Sequence, residues 1–176
     1  MEGKFRNALN MLINGLLYLG GGIIFVQAFW ISYGVFMRYV MGNPDGMVTE
    51  ATALMLVPLA FVGLSYACKE DAFPKVTIFT DMLTSKKKAY LDVANNILIV
   101  MISCFFMLAA SKGFIKSYYS GAASEILLWP RFYFWFIVVV SLVSLFLSAS
   151  VKLYDSLKIN NRSQKVEINS QMELGD

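Results

Sequence analysis

The chain has 176 residues, 57% of them hydrophobic and 15% charged, with a formal net charge of +3. That balance excludes an ordinary soluble domain. Histidine is absent, which excludes bis-histidine haem and His-ligated metal sites and removes the commonest general base.

Four apolar runs without a charged residue, 7–37, 51–68, 93–111 and 132–151, dominate the sequence. At about 1.5 Å per residue each can cross a hydrocarbon core of roughly 30 Å. Lipid offers no partner to a bare backbone amide, so each run is expected to be a helix. The expectation is an all-α membrane protein with four transmembrane helices, spanning about 11–37, 50–68, 93–112 and 131–151, in one domain over 1–155.

The first run is too long for a secretory signal, whose apolar core is about 7–15 residues. It also ends in the bulky Met37, Arg38 and Tyr39. Within it, Gly20, Gly21 and Gly22 admit a close neighbouring helix, and Gln27 can bond across the contact. A turn dense in breakers follows over 42–46. Thr49 and Glu50 then open helix two, with Glu50 in its first turn, where the helix dipole favours an anion. Arg38 and Glu50 flank this turn. They either meet, contact a partner chain, or stand as separate boundary residues reaching for water. Pro58 predicts a mid-span kink. With no charged residue beside it, a structural role is expected rather than an ion site.

In the second connection, Pro74 can begin a helix. Val76, Phe79, Met82 and Leu83 recur at helical spacing, and Lys86, Lys87 and Lys88 follow. This pattern predicts an interfacial amphipathic helix between spans two and three, over about 74–88, with the three lysines toward anionic lipid headgroups. The alternative is a solvated connector. Helix three carries Asn95, Asn96 and Ser103. In the third loop, Trp129 and Pro130 precede helix four, and Pro130 is placed to start it. Ser141, Ser144 and Ser148 share one face of that helix and suit tight packing. Residues 156–176 form a polar tail, expected to be unstructured. Cys68 and Cys104 make no Cys-x-x-Cys motif and are expected to be small buried hydrophobes.

Eleven of the lysines and arginines fall in the N-terminal segment, the second connection and the tail, against four in loops one and three. Both termini should therefore be cytoplasmic. Trp30, Tyr33, Tyr39, Tyr118, Tyr119, Trp129, Tyr133 and Trp135 gather near the outer span ends, where an aromatic belt belongs.

No ionisable residue lies mid-span, and there is no phosphate loop, no nucleophile beside a base and no carboxylate cluster. No catalytic, metal, cofactor or substrate-binding residue is predicted, and no nucleic-acid partner. The chain reads as a partner subunit. Its structural or partner-contact candidates are Arg38, Tyr39, Glu50, Gly63, Trp129, Pro130, Ser141, Ser144 and Ser148.

Arg38, Tyr39 and Val40 closing helix one, the short turn to Glu50, the run from Leu59 to Gly63, and the segment from Lys75 to Phe79 together carry a resemblance. The four-span layout and Trp129-Pro130 agree with it. Over roughly residues 10–155, the chain resembles the small integral-membrane (Q, DctQ-like) subunit of tripartite ATP-independent periplasmic (TRAP) transporters. Two departures stand out. Met47 or Val48 occupies the place where the family often has Trp, and Phe73-Pro74 the place of a His-apolar pair. The resemblance implies a non-catalytic subunit in a bacterial or archaeal cytoplasmic membrane. It would brace a large multi-span (M) subunit that moves substrate with sodium. It would also help to dock a periplasmic substrate-binding (P) protein carrying an organic acid of the dicarboxylate or sialic acid class. The alternatives are a four-helix assembly or interaction protein and a small dimeric multidrug exporter. The exporter would need a carboxylate within helix one, which has none; a glutathione-using membrane enzyme would need charged residues inside the bundle.

Overall fold

The computed structural model describes residues 2–43, 46–73 and 85–173, with side chains over 3–43, 46–73 and 90–158. Five helices follow in chain order: α1 (Glu2–Tyr39), α2 (Gly46–Val62), α3 (Leu64–Lys69), α4 (Ser85–Ser120) and α5 (Phe132–Glu173). Four segments are long and apolar enough to cross a membrane, Gly3–Tyr39, Gly46–Lys69, Tyr90–Ser120 and Phe132–Lys158. The second span joins α2 to α3. Among the described residues no strand forms; one isolated bridge pairs Ala123 with Pro130.

Local chemistry sets the breaks. Pro58 lies inside α2, and the helix is interrupted at Gly63, five residues on, before α3 resumes. Proline removes one backbone donor and crowds the turn before it, around Leu54, so the interruption at Gly63 lies on the other side of Pro58 from its direct effect. At the end of α3, Asp71 adopts φ 55°. The Ala72 amide donates to Ala67 O at 2.9 Å and the Asp71 amide to Cys68 O at 3.3 Å, the paired bonds of a Schellman stop. Gly121, at φ 60°, follows the last residue of α4 in the same left-handed region.

One face of α1 carries its packing. Arg6, Ile13, Gly20, Gln27 and Gly34 recur every seven residues, with Leu9, Leu16, Ile23, Trp30 and Met37 between them, and these positions are buried or half-buried. A seven-residue repeat keeps one seam on a neighbouring helix. Along it, a Cβ at Gly34 would lie 2.6 Å from Val48 Cγ1, and one at Gly20 would lie 3.0 Å from Val62 Cγ1. Gly21 and Gly22 meet nothing within 4 Å, so only the first residue of the glycine run serves close approach. On α4 the same spacing brings Asn96, Ser103, Ala110 and Ser117 inward. Gly113 accepts the Trp135 ring of α5, with a Cβ only 2.8 Å from it.

The last helix is the centre of the bundle. α5 packs along α4 and also against α1, α2 and α3. Its Val138, Leu142, Leu145 and Ala149 form the core with Cys68 and Ala110. Cys104 is half-buried.

Two expectations change at the helix ends. α5 runs on to Glu173, where an unstructured tail was expected; extending an existing helix avoids the nucleation cost, and the Lys, Glu and Gln of this stretch are good helix formers. The interfacial helix expected over 74–88 falls partly outside the described residues, at 74–84. Its remaining positions, including Lys86, Lys87 and Lys88, belong to the first turn of α4.

Candidate functional site

The notable polar chemistry lies at the two ends of the bundle. At the end carrying the third loop, α2 begins at Gly46, so Glu50 sits beyond its first turn rather than within it. The helix terminus does not hold this carboxylate. It accepts three consecutive backbone N–H groups of the loop: Glu125 at 2.6 Å, Ile126 at 2.9 Å and Leu127 at 2.8 Å. Successive amides aimed at one anion make a nest, and each bond to a charged acceptor is stronger than a neutral one.

The loop is closed on itself. The Ser124 amide donates to Trp129 O at 2.9 Å, the Trp129 amide donates to Ser124 Oγ at 3.0 Å, and the Arg131 amide donates to Ala122 O at 3.0 Å. Between these closures Leu128 takes φ 54°, a left-handed conformation that is strained for a residue with a Cβ. Its side chain is nevertheless 71% exposed, beside exposed Ile126. Trp129 stacks on Phe134, with centroids 6.4 Å apart and planes at 18°. Pro130 lies in the bridge with Ala123. Pro130 therefore precedes α5 by two positions rather than opening it.

Arg38 and Glu50 are not brought together. The Arg38 guanidinium lies 5.8 Å from the Tyr39 ring centroid. It edges an open groove of about 790 Å³ that includes Ile31, Gly34, Val35 and Thr49. Tyr39 is 77% exposed.

At the opposite end, one turn of α5 reaches three other elements. Lys152 Nζ pairs with Asp71 Oδ1 at 2.8 Å. Asp155 accepts a two-pronged contact from Arg6, at 3.0 and 2.6 Å. The Asn96 amide donates to Ser156 Oγ at 2.7 Å. Within the spans, the Gln27 amide donates to the Thr52 carbonyl at 3.2 Å, joining α1 to α2.

The remaining sequence candidates divide. Ser141, Ser144 and Ser148 are buried, but each hydroxyl donates to a carbonyl of its own helix at 2.8 Å. Their hydroxyls are thus satisfied within α5 rather than across a helix contact. Gly63 is exposed at the break in span two. Sequence reasoning missed Arg6, Asp71, Lys152, Asp155 and Ser156. A basic residue just before one span and an acidic one just after another were a readable signal; the loop amides that hold Glu50 have none in the side chains. Among the described residues, no group of three His, Cys, Asp or Glu side chains is placed to hold a metal ion.

These features define a polytopic helical membrane protein whose ionic contacts fasten helix ends. Residues 27–159 match the family of tripartite ATP-independent periplasmic transporters, DctQ component. The chain belongs to this family and is a small membrane subunit of such a transporter. No curated protein matches the chain.

Proposed function

We propose that this chain is the bracing permease subunit of a sodium-driven TRAP transporter. It sits in the cytoplasmic membrane of a bacterium or archaeon, with both termini in the cytoplasm. The large membrane subunit would carry the moving substrate site, and this bundle would hold its fixed scaffold still. Loops one and three would help to dock the soluble protein that delivers an organic acid, of the dicarboxylate or sialic acid class. Lys86, Lys87 and Lys88 would meet anionic headgroups at the cytoplasmic face, each worth about 1 kcal/mol near such a surface.

One observation carries this reading. Mid-span, no ionisable residue occurs, and among the described residues the one side-chain hydrogen bond there between helices is Gln27 to Thr52. A solute or ion path in a membrane ordinarily needs charged groups at mid-depth or beside a broken helix, and the break in span two at Gly63 has no charged residue beside it. A bundle fastened at both ends and apolar between suits a brace.

Proteoliposomes test it. Uptake of the organic acid is expected with this chain, the large subunit and the binding protein together, and not when this chain is omitted. Uptake by this chain alone would overturn the proposal.

A further inference from the structure

The third loop is a shaped object rather than a slack connection, and one carboxylate from another helix shapes it. We propose that Glu50 is the positioning residue of the loop-three docking surface: by accepting the Glu125, Ile126 and Leu127 amides, it fixes the strained turn that presents Leu128 and Ile126 to the soluble binding protein. This rests on the docking role proposed above.

Three features converge on it. The three donors are consecutive, so one carboxylate ties down an unbroken stretch of the loop backbone. Ile126 reaches over the start of α2, where a Cβ at Gly46 would lie 3.2 Å from its Cδ1; the loop is thus seated on the helix that supplies the carboxylate. Leu128 holds a left-handed backbone while exposing 71% of itself. A residue with a Cβ persists in the left-handed region only where the surrounding structure holds it there, and such outliers gather at functional sites. The Ser124–Trp129 closures and the Glu50 carboxylate are that surrounding structure. The fixed loop would spare docking the entropy of ordering it at the moment of contact.

The test uses the full chain with its large membrane subunit in nanodiscs. Two quantities are read: amide hydrogen exchange over residues 125–127, and the Kd for the transporter's own soluble binding protein. Glu50→Gln keeps the shape but loses the charge and one acceptor. It is expected to speed exchange by about tenfold or more, the loss of roughly one charged hydrogen bond, and to weaken docking, while the yield of the membrane complex stays unchanged. Glu50→Asp, one methylene shorter, should fall between wild type and Glu50→Gln in both measurements. Leu128→Asp alters the presented surface without touching the latch; Asp tolerates the left-handed region. If Leu128→Asp docks like wild type, the docking role of the loop is wrong. If Leu128→Asp weakens docking while Glu50→Gln leaves either exchange or docking unchanged, the positioning role of Glu50 is wrong.

Discussion

Gly34 gives the sharpest single-residue expectation. Any Cβ there meets Val48 Cγ1 at 2.6 Å, and a β-branched side chain on a helix has little freedom to step aside. Gly34→Ala should lower stability by about 1–3 kcal/mol, the usual cost of overpacking, read as a fall in Tm in detergent. Gly21→Ala faces open space and should be neutral or stabilising by up to about 1 kcal/mol, since Ala is the better helix former. No drop at Gly34 would mean that the two helices do not approach as described. Gln27 is expected to matter less. Its bond to a backbone carbonyl inside the span is of a kind worth about 0.6 kcal/mol on average, so Gln27→Leu should cost under about 1 kcal/mol in the same measurement. Only some of this was readable in the residues themselves. Gly20, Gln27 and Gly34 stand seven apart, and that spacing alone marks a seam. That register singles out Gly20 from Gly21 and Gly22, but that the residue facing it is Val62 depends on how α2 is placed, which the spacing does not tell.

Among the elements, α5 holds the terminal end together. Its polar contacts there to α1, to the turn after α3 and to α4 come from Asp155, Lys152 and Ser156 respectively. Arg6 and Asp155 are 42% and 40% exposed, so water and salt screen them, and such a pair is worth about 0–1 kcal/mol. A double-mutant cycle of Arg6→Ala and Asp155→Ala should return a coupling in that range that shrinks as salt rises; a larger, salt-insensitive coupling would mean that the pair is buried in the membrane complex. The four spans were legible because long apolar runs allow one solution in lipid. Their true ends were less so. α1, α4 and α5 have 38, 36 and 42 residues, or about 54–63 Å at the helical rise, well beyond a hydrocarbon core. Hydropathy marks where lipid begins, and a helix need not stop there. The loop-three latch was hidden for a different reason: Glu50 is held by main-chain amides, and every residue but proline has one.

For the whole molecule, the charge distribution predicts a definite orientation. A reporter fused after Lys88 should read cytoplasmic, and one inserted in the third loop near Gly121 should read external; the reverse pattern would invert the proposed sidedness and move the Glu50 latch to the wrong face for a periplasmic partner. The family was legible in the order and spacing of short motifs along the four spans; the solute was not, because no charged residue lies mid-span to suggest its chemistry. The placement of α5 also bears on biosynthesis. The helix that packs against all the others follows them in the chain, so the earlier spans enter the bilayer before their common neighbour exists. Until then the α5 contacts of Arg6, Asp71 and Asn96 are still to be made, and the half-built bundle is open to quality-control proteases. A nascent chain halted before Lys152 should accordingly be cleared quickly in a pulse-chase, while one carried past Ser156 should persist.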